Sequence, residues 1–255
     1  MASRTANWAK SSALSRLWHT EPPRGHLTRV RSEGKPVSAP SLEEIRKRLF
    51  VSVLSDCLDA VGLREQALPA RIRPLDESLF MVGRARTAAY MEVFHVEPGE
   101  NPYELEMQLV DGLLPDQIPV FACANQARVG PWGELLSTAA QVRGAAGALM
   151  DGCVRDVRAI RAMGFPVFHG GIAPLDSKGR GKVMAIDVPI RCAGVEVASG
   201  DLVCGDADGV VVIPRAAEGE VLRLAFEKIE GERNTLEELR AGHPLIEVFR
   251  RHGVL

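Results

Sequence analysis

Between residues 118 and 169 the chain alternates short apolar runs with amphipathic stretches, and this alternation limits the possible folds. Ile118 to Ala124 reads as a buried strand, and residues 133–144 read as a helix. Ala148-Leu149-Met150 is a second, shorter buried strand. Arg155 to Met163 reads as a helix with Val157, Ile160 and Met163 on one face, and Pro166 to His169 as a third strand. A β-α-β-α-β order of this kind specifies the α/β class. From Val183 the pattern changes. VMAIDVPI, VEVASGD, LVCGDADG and VVVIP are short β-rich runs split by Gly, Asp and Ser turns, as in hairpins or a small barrel. The expectation is an α/β fold with a mixed sheet, in one domain over residues 41–255.

The flanks are less constrained. Ser41-Leu42-Glu43-Glu44 has capping-box spacing, so a helix with possible breaks is predicted over 41–62, stopping at Gly62. Met81 to Phe94 reads as a strand and Pro102 to Leu114 as a helix. A charged closing helix is expected over 216–241, with Gly242 as its stop. Residues 1–40 are rich in Ser, Arg and Pro, poor in acids, and lack an apolar signal core. They are expected to form a flexible arm or one that packs on a neighbouring subunit. Some features of an organellar transit peptide are also present.

Composition excludes several classes. The formal net charge of −2 provides no broad basic surface for nucleic acid. No apolar run approaches the roughly 18 residues that a membrane helix needs. Cysteines number five, an odd count, with no CxxC pair. Reduced thiols in a cytosol-like compartment are expected, not a disulfide framework or a zinc site. The expected location is therefore cytoplasmic.

Two predicted strand-to-helix junctions carry the candidate chemistry, because open α/β sheets bind ligands outside the carboxyl ends of their strands. Gly130-Pro131-Trp132-Gly133-Glu134-Leu135-Leu136 offers close backbone approach and the free N–H groups of a helix start. Glu134 falls in the first helical turn, where the helix dipole alone would favour an acid. Asp151-Gly152-Cys153-Val154-Arg155-Asp156 sets a guanidinium beside a carboxylate. Arg155 suits a ligand carboxylate and Asp156 a hard divalent cation. Both could equally be structural, as a surface ion-pair partner and a helix N-terminal acid. Asp151 is read as serving its Asp-Gly turn, and Asp201, Asp206 and Asp208 as turn residues. His95 and His169 lie at strand ends and read as structural. Cys153 lies in the second junction without a nearby histidine. No P-loop, GxSxG, HExxH or dinucleotide fingerprint is present.

GELLSTAAQVRGAAGALMDGCVRDVRAIRAMGFPVF followed by SGDLVCGDADGVVVIP closely resembles the RraA-like family. The resemblance runs from about Leu54 to about Pro214. This family includes class II pyruvate aldolases acting on 4-hydroxy-4-methyl-2-oxoglutarate and 4-carboxy-4-hydroxy-2-oxoadipate, and also the regulator of ribonuclease activity A. It implies an α/β/α sandwich related to swivelling β/β/α domains, assembled as a homotrimer or a dimer of trimers. It implies a divalent Mg²⁺ or Mn²⁺ on Asp156 and a small 2-oxo acid substrate contacted by Arg155. The substrate carboxylate would be held by the backbone of Gly133, Glu134, Leu135 and Leu136. The acid that orients metal-bound water is usually Asp in this family, so Glu134 is a departure. Family members also draw a glutamate from a neighbouring subunit's C-terminal helix, for which Glu230 and Glu232 are the candidates. The implied activity is cleavage of a 4-hydroxy-2-oxo acid to pyruvate and a second oxo acid, with oxaloacetate decarboxylation as a side activity. The alternatives are a non-catalytic ribonuclease regulator that binds protein, and a lyase of this scaffold acting on another hydroxy-oxo or sugar acid.

Overall fold

The computed structural model describes residues 40–123 and 129–253, so the expected N-terminal arm lies almost wholly outside the described residues. Ser41 does cap the first helix. Its hydroxyl accepts the Glu44 N–H, and the Glu44 carboxylate accepts the Ser41 N–H at 2.8 Å. The single helix predicted over 41–62 is two, α1 (Leu42–Arg48) and α2 (Val51–Ala60). Leu49 and Phe50 between them are extended. The break has a tertiary cause. The Asp206 carboxylate, distant in sequence, accepts the Val51 N–H at 2.8 Å and so starts a new helix there.

The middle of the chain follows the predicted alternation. β1 (Arg73–Pro74) precedes the long β2 (Met81–Glu92), followed by α3 (Glu104–Asp111) and β3 (Gln117–Ala122). Next come α4 (Glu134–Val142), β4 (Ala148–Met150), β5 (Cys153–Val154), α5 (Val157–Met163), β6 (Val167–His169) and β7 (Gly171–Ile172). The β-rich part supplies β8 (Gly181–Ile186), β9 (Ile190–Cys192), β10 (Val195–Val197), β11 (Leu202–Asp206) and β12 (Gly209–Ile213). Two helices close the chain, α6 (Arg215–Arg240) and α7 (Leu245–His252).

The main sheet runs β1-β6-β4-β3-β2-β11-β12, with β8 also on β2. β2, β3, β4 and β6 are mutually parallel, whereas β11, β12 and β8 are antiparallel to their neighbours. One stretch of chain reaches both ends of this order. Leu68 N–H donates to Val210 of β12 at 2.9 Å, and a few residues later Arg73 pairs with His169 of β6. The mixed sheet is therefore bent until it nearly closes. Its concave side encloses a core of its own, with Met81, Ile118, Leu149, Phe168, Val203 and Val212 buried together with β9 and β10. Helices α3, α4 and α5 cover one part of the outer surface through Leu109, Val110, Ala140 and Ile160. Helices α1, α2 and α6 cover another through Ile45, Leu54, Leu58, Val221 and Leu222. The α/β class with a mixed sheet is as the sequence implies. α7 is an addition to the predicted elements, packed on α6 through the buried Val248 and the His252–Glu238 contact at 2.9 Å. Among the described residues, no helix is long and apolar enough to cross a membrane.

Candidate active site

The two predicted junctions meet. Past the carboxyl end of β4 the chain forms a narrow ribbon. Cys153 N–H donates to Val129 O at 3.2 Å, and Arg155 N–H to Trp132 O at 2.9 Å. On the other side β5 pairs with β7, and Ala173 N–H donates to Val154 O. Trp132 anchors the ribbon in the core. It is fully buried, stacks edge-on to Phe121 at 5.6 Å, and donates from Nε1 to Ser137 Oγ at 2.8 Å. This rigid base delivers Gly133 at the start of α4 beside Arg155 and Asp156.

Asp156 does not cap the helix it precedes. Its backbone is left-handed (φ 57°, ψ 31°), a strained setting for a residue other than glycine, and its side chain makes no bond to the first turn of α5. Instead Oδ2 accepts the Glu134 N–H at 3.2 Å, at the start of α4. Arg155 Nε lies 3.9 Å from the same oxygen, so the adjacent pair forms a loose ion pair. The Arg155 guanidinium also pairs with Asp176 at 3.3 Å through Nη2. Gly133 makes this approach possible, because a Cβ there would stand 2.5 Å from Asp156 Oδ2.

These groups line a cleft of about 380 Å³. Gly133, Leu135, Leu136, Arg155 and Asp156 all line it. Glu134 is exposed in the first turn of α4 and is not among the residues that line the cleft. Leu135 is 82% exposed, an apolar side chain beside the opening. Glu230 and Glu232 do not line the cleft in their own chain. Glu230 pairs with Arg48 and Glu232 with Lys228.

The sequence reading missed the opposite wall, formed by Tyr103, Glu106, Asp176 and Ser177. The Tyr103 hydroxyl donates to Asp176 Oδ2 at 2.5 Å. Burial and this bond push the Tyr103 hydroxyl up to about 12. Burial alone would raise the Asp176 carboxyl, but the Tyr103 hydroxyl and Arg155 outweigh it and hold it below its usual value. Glu106 is 3% exposed, and burial, helped by the Asp176 charge, pushes it up to about 8. A signal for Glu106 existed in the sequence. It lies three, four and seven residues before Leu109, Val110 and Leu113, hence on the apolar face of α3.

The remaining candidates are structural. Asp151 does more than serve its turn. Its buried carboxylate accepts the Cys123 N–H at 2.5 Å and the Ala193 N–H at 2.8 Å. Asp201 accepts from Ala198 and Arg215, and Asp206 from Val51 and Asp208. His95 is exposed beside Glu97, and His169 is buried. All five cysteines are buried and none is in a disulfide. Among the described residues no cluster of three or more His, Cys, Asp or Glu side chains is arranged to hold a metal ion.

Comparison with known proteins agrees with this architecture. Residues 51–212 match the RraA-like family, described as aldolase/RraA. A Halalkalibacterium halodurans protein named as a candidate 4-hydroxy-4-methyl-2-oxoglutarate aldolase is 37% identical over 69% of this chain and 77% of its own. The 4-hydroxy-4-methyl-2-oxoglutarate aldolase of Thermus thermophilus is 32% identical over 57% of this chain and 90% of its own. Among solved structures, Streptomyces coelicolor RraAS2, described as an unusual member of the RNase ES inhibitor RraA family, superposes with a TM-score of 0.67. It is 27% identical, over 78% of this chain and 98% of its own. The chain thus belongs to the RraA-like, aldolase/RraA family.

Proposed function

We propose that this protein is a divalent-metal-dependent lyase that cleaves a 4-hydroxy-2-oxo acid to pyruvate and a second oxo acid. The observation that carries this reading is the strained Asp156, turned away from its own helix toward the N-terminus of α4 with Arg155 beside it. A carboxylate facing an open cleft suits Mg²⁺ or Mn²⁺, which keep several waters and share their remaining positions with substrate. Among the described residues the Asp156 carboxylate accepts one hydrogen bond, at Oδ2, so it keeps the capacity to hold such an ion. Glu134 would act through water, and Glu230 or Glu232 of a neighbouring subunit could do so in a trimer or hexamer. Such an ion, when bound, would supply Lewis-acid stabilisation of negative charge on the 2-oxo acid.

The chain's own groups do the rest. At the start of α4 the N–H groups of Gly133, Leu135 and Leu136 take no acceptor among the described residues, so they suit the substrate carboxylate. Arg155 is kept extended into the cleft by Asp176. It places a fixed positive charge where the enolate oxygen develops, an effect worth about 3 kcal/mol for a comparable oxyanion donor. The same arrangement supports oxaloacetate decarboxylation.

The test is pyruvate release from oxaloacetate and from 4-hydroxy-4-methyl-2-oxoglutarate by EDTA-stripped protein resupplied with Mg²⁺ or Mn²⁺. Release is expected to need the ion and to fall by at least about 100-fold in both Asp156→Ala and Arg155→Ala. No release from either compound would sink the aldolase reading. The RNase-inhibitor description of RraAS2 favours a second reading, a protein-binding regulator, which that outcome would promote.

A further inference from the structure

Glu106 is unusual among the acids of the cleft. Its residue is 3% exposed, and Oε2 has no hydrogen-bond partner among the described residues. A buried carboxylate kept for structure is normally paired or hydrogen-bonded, since an unpartnered one is costly. The one cation lining the cleft among the described residues, Arg155, is instead engaged by Asp176 and Asp156. Glu106 lies in the first turn of α3, where the helix dipole favours an acid, but the exposed Glu104 in the same turn meets that need without burial. The chain places a carboxyl group in the wall of the cleft with one oxygen unpartnered among the described residues.

The neighbouring groups are unsuited to proton transfer near neutrality. Tyr103 is locked to Asp176 and titrates near 12, and Asp176 is held charged. Groups bearing on Glu106 come from each surrounding element. Asp176 raises it and Arg155 lowers it, while Tyr90 of β2 and Cys123 beyond β3 are themselves pushed up and neutral. Glu106 titrates near 8, close to the operating range of a general base.

We infer that Glu106 is the catalytic acid–base of the lyase reaction proposed above, on which this inference rests. Its carboxylate takes the proton of the substrate's 4-hydroxyl. As that O–H bond breaks, a C4=O bond forms. The C3–C4 electron pair passes to C3 and is delocalised onto the 2-oxo oxygen beside Arg155. The second oxo acid departs, and the Glu106 carboxylic acid returns its proton to C3, giving pyruvate and regenerating the carboxylate. No other reactant is required.

The experiment combines two readouts on the metal-loaded protein and on Glu106→Gln, a near-isosteric variant that cannot exchange a proton. The first is pyruvate release from 4-hydroxy-4-methyl-2-oxoglutarate across pH 6–9. The second is exchange of the pyruvate methyl protons with D₂O, followed by proton NMR. Wild type should exchange, and its cleavage should rise with pH to a plateau above about 8. Glu106→Gln should lose both activities by about 100-fold or more and lose that pH limb. Its KM should stay within a few-fold of wild type. Glu106→Asp should restore part of the rate with a shifted limb. Wild-type exchange that Glu106→Gln retains would overturn the assignment and leave the lyase reading intact. Wild-type cleavage without exchange would also overturn it, because C3 would then be protonated from elsewhere. Neither cleavage nor exchange by wild type would overturn both.

Discussion

A methyl group at Gly133 would sit 2.5 Å from Asp156 Oδ2 and 3.1 Å from Arg155 Cγ. The backbone there is extended (φ −155°), which any residue adopts, so glycine is required for space and not for conformation. Gly133→Ala should push the aspartate and arginine aside while leaving the ribbon's hydrogen bonds in place. A displacement near 1 Å in a positioned site costs on the order of 100-fold in rate. The expected result is that loss in kcat with a thermal midpoint within a few degrees of wild type, checked by steady-state kinetics and a melt. A large fall in midpoint with unchanged kcat would place Gly133 in the scaffold instead. Arg155, Asp156 and Glu134 stood out as candidates in the sequence because each lies at a strand-to-helix junction, where chain direction and free N–H groups are implied locally, though the same pattern also admits structural roles. Asp176 and Tyr103 were not. Asp176 sits in a stretch without periodicity, and its role arises only when Arg155 and Tyr103 approach it from elsewhere in the chain.

The site depends on the ribbon that carries it, and Asp151 is the ribbon's tie. From the turn after β4 it accepts N–H groups from Cys123, beyond β3, and from Ala193, in the β9–β10 turn. Asp151→Ala would leave both donors in the interior without an acceptor, at about 3 kcal/mol in total. Urea unfolding should show a lower midpoint with an unchanged slope. A shift below about 0.5 kcal/mol would mean that water replaces the carboxylate. The sequence pointed to the Asp-Gly turn but not to this reach, because local turn chemistry explains the same dipeptide. Elements followed the same division. The β-α-β-α-β segment was readable because its periods of burial are local. The break between α1 and α2 was not, since the bond that starts α2 comes from Asp206. α7 was absent from the sequence reading although Leu245, Val248 and Phe249 have helical spacing beyond Gly242. It is short, and three of its apolar side chains, Leu245, Ile246 and Phe249, remain exposed.

For the molecule as a whole, two buried groups set opposing slopes of stability against pH. His169 is shifted down from 6.5 to about 4, chiefly by burial and then by the Arg161 charge. The folded state therefore binds its proton more weakly than the unfolded chain. Its contribution is present above 6.5 and is lost as pH falls toward 4. Glu106 is the reverse case, raised from 4.5 to about 8. Its contribution is present below 4.5 and is lost as pH rises toward 8. Between 4.5 and 6.5 the two slopes oppose and largely cancel. Between 6.5 and 8 only the Glu106 slope remains, with a ceiling of about 1.4 kcal/mol per pH unit. Urea midpoints from pH 4 to 9 should therefore decline for wild type between 6.5 and 8, and Glu106→Gln should flatten that decline while keeping the loss below 6.5. His169→Gln should do the opposite, removing the acid-side loss and leaving the decline toward 8. A wild-type decline that survives in Glu106→Gln would mean the carboxyl is solvated or paired within the folded cleft. The acid–base assignment would then lose the buried, unpartnered carboxyl from which it is argued.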